Sequence, residues 1–98
     1  MESRTITVTN PLGLHARAAA RFVHLATRFQ SRITVARNSK VMDGKSIMGI
    51  LLLAAARGSA IVITADGVDE KEAVSALVDL VESGFGETSG SAGEQWNG

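Results

Sequence analysis

The chain has 98 residues, with ten basic and ten acidic side chains that give a formal net charge of zero. It contains no cysteine, which excludes disulfides and thiolate chemistry, and having only two histidines argues against a histidine metal cage. The longest strongly apolar run, residues 47–56, is too short to span a bilayer, and the N-terminus lacks the apolar stretch of a secretion signal. We therefore expect one folded cytoplasmic domain that does not contact the membrane.

The neutral total hides an uneven distribution of charge along the chain. Residues 1–57 contain nine bases and two acids, a net charge of +7. Residues 58–98 contain one base and eight acids, a net charge of −7. The overall net charge therefore says little about how any one face of the protein presents itself to a partner.

The first half of the chain alternates between strand and helix patterns. Residues 5–9 alternate polar and apolar side chains and are all β-branched, which predicts a strand with Ile6 and Val8 facing inward. After a break at residues 10–13, apolar side chains recur at helical spacing. The predicted elements are a strand over 5–9, a helix from 16 to about 30, a strand over 33–36 and a short strand over 40–42.

The second half predicts two more helices around a fourth strand. Ser46 is a favourable N-cap for a helix that runs towards Ala56, with Gly58 as its stop. Alternation over residues 61–65 predicts a strand, and Asp69 or a neighbour caps a last helix with acids in its first turn. The order β-α-β-β-α-β-α predicts an α+β fold of two layers, an antiparallel sheet with the helices packed on one face.

His15 is the first candidate for chemistry. It opens the first predicted helix, where unpaired backbone N–H groups and the positive end of the helix dipole favour an anion. Arg17, in the first turn, adds a guanidinium that can bind phosphate oxygens. A nucleophilic imidazole, an amide cradle and a cation suit transient phosphorylation of His15 itself. Spacing alone leaves open an ordinary exposed histidine beside an N-cap.

A basic stripe runs along the same predicted helix, apart from its apolar side. Its members, at positions i, i+4, i+7 and i+11, are Arg17, Arg21, His24 and Arg28. Such a stripe is either a solvated face or a docking strip for an acidic partner. Nucleic acid is a third alternative, but aromatic residues, which stack on bases, make up only 4% of the chain. We therefore expect an acidic protein surface as the partner, and no nucleic acid.

The second predicted helix offers a further candidate and an exposed surface. Ser46 lies at its start, where a phosphate is tolerated, although serine is also simply a favoured N-cap. The residues that follow include Ile47, Met48 and Leu51, and they are too numerous for one buried stripe. Either some of them are exposed as a protein-docking surface, or the helix is short and deeply packed.

Two segments of the chain resemble a known family. GLHARAAARF (residues 13–22) and GKSIMGILLLAA (residues 44–55) resemble the signature regions of HPr, the histidine phosphocarrier of the bacterial phosphoenolpyruvate-dependent phosphotransferase system. The resemblance covers about residues 3–86 and implies an open-faced sandwich of four antiparallel strands and three helices. We therefore expect a domain over residues 1–86. A flexible tail over 87–98 is expected from the Gly-, Ser- and Glu-rich end of the chain, which has no periodicity.

The resemblance also implies roles for individual residues. His15 would take a phosphoryl group on Nδ1 from phosphorylated Enzyme I and pass it to an EIIA-type protein, as a carrier and not a stand-alone enzyme. Arg17 and the backbone amides of Ala16 and Arg17 would hold the phosphate. Ser46 matches the serine that an HPr kinase/phosphorylase modifies in some bacteria. The implied partner surface consists of Arg21, His24, Arg28, Ile47, Met48 and Leu51. We expect a monomer with no metal or other cofactor.

One departure from the family leaves the downstream partner open. Many sugar-type members have proline after the arginine, whereas this chain has Ala18, and HARAAA resembles members of the nitrogen-related branch. An alternative function is therefore a regulatory module of that branch, which is controlled at Ser46 and acts mainly by docking to other proteins.

Overall fold

The computed structural model describes residues 1–86 of the chain. Their helices and strands follow the predicted order, with a 3₁₀ turn added at the end. The elements are β1 (Glu2–Thr7), α1 (Ala16–Ala26), β2 (Arg32–Arg37), β3 (Lys40–Asp43), α2 (Ile47–Leu52), β4 (Ala60–Asp66), α3 (Glu70–Glu82) and the 3₁₀ turn (Gly84–Gly86).

The four strands form one antiparallel sheet in the order β1-β4-β2-β3. Strand side chains alternate between the two faces, and those of Ile6, Ile33 and Ile63 are buried on the side that carries the helices. On that side α3 packs against β1 and β4, α2 packs against β3, and α1 contacts both α2 and α3. The opposite face carries smaller and polar groups such as Ser3 and Thr64, whose hydroxyls are 2.8 Å apart. This confirms the predicted open-faced α+β sandwich.

The apolar side of α1 holds that helix on the sheet. Its buried residues recur at helical spacing and are Ala18, Ala19, Phe22, Val23 and Ala26. Burying a side chain as large as Phe22 contributes about 1.5–3 kcal/mol, and the small alanines let the helix approach closely. The opposite side of α1, which carries the basic stripe, is thereby directed towards solvent.

Three predicted boundaries are wrong, each by a few residues. α1 ends at Ala26 and not near Gln30, because the amides of Arg28 and Phe29 bond to carbonyls only three residues back and tighten the chain into turns. β1 covers residues 2–7 instead of 5–9. Val8 lies just beyond the end of β1 but is buried as predicted. Its N–H donates to the carbonyl of Ser59 at 2.9 Å, which keeps this part of the chain beside the residues that precede β4.

α2 ends at Leu52, well before the predicted end near Ala56 and the predicted stop at Gly58. Two cations from the β2–β3 hairpin satisfy the carbonyls at this end. Arg37 Nη1 donates to Leu53 O at 3.1 Å, and Lys40 Nζ donates to Leu52 O at 3.3 Å. Ala54 then takes a left-handed φ of 50°, which turns the chain out of the helix.

Two residues near the C-terminal end of the fold differ from expectation. Asp69 stands at the N-cap position of α3, but its side chain makes no capping hydrogen bond and instead binds the backbone at Gln30 and Ser31. Phe85 lies just before the expected tail and no periodic pattern marks it as core, yet it is fully buried and its carbonyl accepts a hydrogen bond from Arg21. The predicted tail over 87–98, including Trp96, lies outside the described residues.

Candidate functional site

His15 is the N-cap residue of α1, as its place in the sequence predicts. Its backbone is extended (φ −75°, ψ 178°), and its carbonyl accepts the first helical hydrogen bond from the amide of Ala19 at 2.8 Å. The ring atom Nδ1 accepts a hydrogen bond from the backbone amide of Arg17 at 3.3 Å. Because an acceptor nitrogen uses its lone pair, the lone pair of Nδ1 points at the start of the helix in this hydrogen bond.

The loop before His15 is fixed by hydrogen bonds within itself. The Gly13 amide donates to the Asn10 carbonyl at 3.0 Å, and the buried Asn10 side chain donates back to the Gly13 carbonyl at 2.7 Å. The sequence pattern over residues 10–13 predicts only a break, and the supporting role of Asn10 is a finding of the structure. An asparagine before a proline is a common turn signal, and its side chain often bonds the backbone a few residues on.

The loop that follows α2 is hydrogen-bonded to the loop before His15. The Leu14 amide donates to the carbonyl of Ala55 at 2.9 Å. Gly13 has a left-handed φ of 64°, and a Cβ added to it would lie 2.5 Å from the Ala55 carbonyl oxygen. Only glycine therefore allows this close approach. The backbone of His15 is thus held between its own helix and the loop after α2.

The basic stripe does not lie wholly on α1, because Arg28, predicted to be part of this helix, lies in the turn after Ala26. The members of the stripe also differ in exposure. Arg17 and Arg21 are half-buried, whereas His24 and Arg28 are exposed. The backbone of Arg17 contacts the His15 ring, and the Arg21 guanidinium donates to the Phe85 carbonyl. Neither α1 nor α2 contains an acidic residue, so an incoming anion meets no negative side chain on these two helices.

Ser46 is the N-cap of α2, and its hydroxyl accepts a hydrogen bond from the Gly49 amide at 3.0 Å. Capping α2 is thus a structural role of Ser46, one of the two roles that the sequence allows, the other being regulatory phosphorylation. Beyond it, Ile47, Met48 and Leu52 are exposed, and we call these three residues the α2 patch. Leu51, by contrast, is half-buried and packs against the core. The structure therefore brings Leu52 to the surface in addition to the two predicted residues.

Two further classes of site have no support among residues 1–86. No group of three or more His, Cys, Asp or Glu side chains in this part of the chain is arranged to hold a metal ion. No helix there is both long enough and apolar enough to cross a membrane.

Comparison with known proteins gives a consistent result. The model of the family described as "PTS HPr component phosphorylation site" matches residues 2–83. The phosphocarrier protein HPr of Neisseria meningitidis is 47% identical over 87 residues, which cover 89% of this chain and 98% of that protein. A crystal structure of HPr from Thermoanaerobacter tengcongensis superposes with a TM-score of 0.87 at 49% identity, covering 90% of this chain and 99% of the other. An HPr dimer from the same organism gives a TM-score of 0.72, also at 49% identity, and covers 89% of this chain and 100% of that one.

Proposed function

This chain belongs to the HPr family and is a phosphoryl carrier of the phosphotransferase system, and on that premise we propose that His15 Nδ1 carries the phosphoryl group. The observation that supports this assignment is the direction of the Nδ1 lone pair, which faces the N-terminus of α1 and the Arg17 amide. The donor is phosphorylated Enzyme I, and the acceptor is an EIIA-type protein. The carrier works in the cytoplasm, as a monomer.

The transfer step uses groups that are already in place. The Nδ1 lone pair attacks the phosphorus atom, an Nδ1–P bond forms, and the bond between phosphorus and the donor atom breaks with its electron pair returning to the donor. The amide of Arg17 then donates to a phosphoryl oxygen instead of to Nδ1. Passing the group onward reverses the step, with the acceptor as the new nucleophile.

The start of α1 stabilises the phosphoryl group once it is bound. The amides of Ala16 and Arg17 lie in the first turn of α1, where the helix dipole favours negative charge. The guanidinium of Arg17, in the same turn, supplies a positive charge. The amides, the helix dipole and the guanidinium all favour the phosphorylated state, and none of them requires the fold to change.

The surface around His15 fits partners that are both acidic and apolar. The basic stripe attracts acidic groups and the α2 patch contributes buried apolar area on docking. Most of this proposed partner surface consists of Arg21, His24, Arg28, Ile47 and Met48. Leu51, which is half-buried against the core, completes it. Ser46 borders the α2 patch, so a phosphate added there by an HPr kinase/phosphorylase would place negative charge at the rim of the surface.

The second candidate function is a regulatory docking module of the nitrogen-related branch. It is favoured by the position of Ser46 beside the α2 patch and by Ala18, which is buried in α1 where many sugar-type members have proline. In that function the signal would be phosphorylation of Ser46, and phosphotransfer through His15 would be secondary.

Labelling with phosphoenolpyruvate and Enzyme I tests the carrier assignment. We expect an acid-labile phosphate on the wild-type protein and none on His15→Ala. His24→Ala is the matched control, because His24 is the other histidine and is exposed on the same helix. It should reach the same final amount of label as the wild type, even where weaker docking to Enzyme I slows the reaction. Equal labelling of His15→Ala and the wild type would refute the assignment.

Three further measurements test the two candidate functions. Transfer from labelled protein to a panel of EIIA domains identifies the acceptor and the branch. Arg17→Ala should slow transfer by about 10- to 100-fold, the effect of losing one charged hydrogen bond. Arg32→Ala is the control, since Arg32 is an exposed arginine of β2 outside the proposed partner surface. A partner that binds only after phosphorylation of Ser46, and equally well with His15→Ala, would favour the docking module.

A further inference from the structure

The loop before His15 presents an apolar side chain to solvent. Leu12 is 71% exposed, although it lies only three residues before the histidine. The two hydrogen bonds between Asn10 and Gly13 fix the backbone on either side of it. A side chain on a fixed backbone loses little conformational freedom when another protein covers it. Leu12 is therefore well placed to contact a protein that approaches His15.

The loop after α2 connects Leu12 with the α2 patch. Leu52 belongs to that patch, and Ala54 and Ala56 are exposed in the loop that follows it. A Cβ added to Gly13 would lie 2.9 Å from the Ala56 Cα, so this loop contacts the residue next to Leu12. The sequence has no charged residue between Leu52 and Ala56. Exposed apolar residues therefore continue from α2 to the loop before His15.

Arg57 places a positive charge at the end of this surface. It is exposed, and it stands between Ala56, which contacts Gly13, and Gly58, whose amide donates to the Val8 carbonyl at 2.8 Å. Residues 8–14 and 53–58 contain no acid that would offset its charge. We call the four exposed residues of these two loops the loop patch, which consists of Leu12, Ala54, Ala56 and Arg57.

The loop patch lies within the area that a docked protein covers. The close approach of Gly13 and Ala56 limits the distance between the Cα atoms of Arg57 and His15 to at most about 16 Å. The Cα of Leu12 is at most about 11 Å from that of His15. A specific interface covers about 800 Å² on each protein, which is a disc of about 16 Å radius. Transfer brings the phosphorus atom of the donor to Nδ1, so the disc is centred on His15.

We propose that the loop patch is part of the surface that Enzyme I covers, beyond the N-terminal end of α1. This inference rests on the proposed function, since it takes Enzyme I as the donor. Leu12 packs against an apolar group of Enzyme I, and Arg57 pairs with one of its acidic side chains. The basic stripe and Arg57 then place positive charge on two sides of His15. Two separate charged contacts fix the orientation in which Nδ1 faces the phosphorus atom, which one contact alone does not.

Equilibrium titration of Enzyme I against the full chain tests this proposal without any phosphoryl transfer. Leu12→Ser and Arg57→Glu should each raise the Kd by about 5- to 20-fold. Added salt should reduce the effect of Arg57→Glu but not that of Leu12→Ser. Val68→Ser and Arg32→Glu are the matched controls, since both residues are exposed and lie outside the proposed partner surface. Each control should keep the Kd within about twofold of the wild-type value.

A second measurement uses the wild type alone and does not depend on the folding of a variant. On addition of unphosphorylated Enzyme I, the NMR signals of the Leu12 methyl groups should shift, whereas those of Val68 should stay in place. The loop patch is overturned if the wild type binds Enzyme I but either patch variant binds equally well, or if the Leu12 signals do not move. A wild type that does not bind Enzyme I would overturn the proposed donor as well.

Discussion

The carboxylate of Asp69 accepts hydrogen bonds from the hydroxyl and the backbone amide of Ser31, at 2.5 and 2.9 Å. It also accepts one from the amide of Gln30 at 2.9 Å. These bonds lower the pKa of the Asp69 carboxyl below its ordinary value, with the Ser31 hydroxyl as the largest cause. Together they fasten the turn that follows α1 to the start of α3.

Asp69→Asn should lower the thermal midpoint of unfolding at pH 7, because an amide offers one acceptor atom where the carboxylate offers two. A lowered folded-state pKa means that the carboxylate stabilises the fold above its unfolded-state pKa. That contribution is lost as pH falls through the lowered value. The difference between variant and wild type, measured by thermal unfolding, should therefore shrink in acid.

Glu72→Gln is the control for this prediction. It removes the same charge from the first turn of α3, without the bonds to residues 30–31. A difference between Asp69→Asn and wild type that persists unchanged to pH 2 would show that the carboxylate charge is not the cause.

Gly13→Ala should destabilise the protein more than Gly58→Ala does. Both glycines have positive φ, which costs an alanine about 1–2 kcal/mol. A Cβ at Gly58 meets open space, whereas one at Gly13 lies 2.5 Å from the Ala55 carbonyl oxygen and 2.9 Å from the Ala56 Cα. The backbone clash should add about 1–3 kcal/mol in chemical denaturation.

The same pair of variants tests how the loops position His15. Gly13→Ala pushes apart the two segments that the Leu14–Ala55 hydrogen bond joins, so phosphotransfer should slow even where the variant is folded. Gly58→Ala should transfer at the wild-type rate. Equal phosphotransfer rates for Gly13→Ala and Gly58→Ala would mean that the contact between the two loops does not position His15.

Ser46 combines a capping role with the proposed regulatory one, and two substitutions separate them. Ser46→Ala should cost about 1 kcal/mol, since it removes the acceptor for the Gly49 amide. Ser46→Asp should keep the unfolding free energy near that of the wild type, because aspartate is an equally good N-cap. It should nevertheless weaken binding to Enzyme I in a titration, through the charge it places beside the α2 patch.

The control for Ser46→Asp is Ser39→Asp, which adds the same charge in the exposed turn between β2 and β3. If Ser46→Asp and Ser39→Asp weaken binding to Enzyme I equally, the effect comes from net charge and not from the position of Ser46 beside the α2 patch.

Phe85→Ala should cost about 3–5 kcal/mol in unfolding free energy, the usual loss for a fully buried phenylalanine. Val68→Ala, at a side chain that is 84% exposed, should change stability by less than about 0.5 kcal/mol. Chemical denaturation compares the two variants. A loss below about 1 kcal/mol for Phe85→Ala would mean that the 3₁₀ turn is not part of the stable fold.

Local patterns predicted the parts of the fold that depend on neighbouring residues. The alternation around Ile6, Ile33 and Ile63 predicted strands with buried apolar sides, and the break before His15 predicted the start of α1. The excess of apolar residues after Ser46 predicted that some of them are exposed. In each case the periodicity or the capping chemistry acts within a few positions of the chain.

The features that the sequence did not predict depend on contacts between distant residues. α2 ends early because Arg37 and Lys40, from another part of the sheet, satisfy its last carbonyls. Asp69 binds Ser31 instead of its own helix, and no spacing rule pairs two residues so far apart. No periodic pattern marks Phe85, which is recognised as core only once its surroundings are known.

The position of β4 between β1 and β2 has a consequence for how the protein is made. Among the strands of residues 1–86, β1 leaves the ribosome first, yet its one partner there is β4, the last of the four. Such distant pairing is slow and forms late, whereas the β2–β3 hairpin is local. The loop before His15 in turn depends on residues 55 and 58–59, which directly precede β4. We therefore expect His15 of the nascent chain to reach its phosphate-accepting position in one late step, when β4 joins the sheet between β1 and β2.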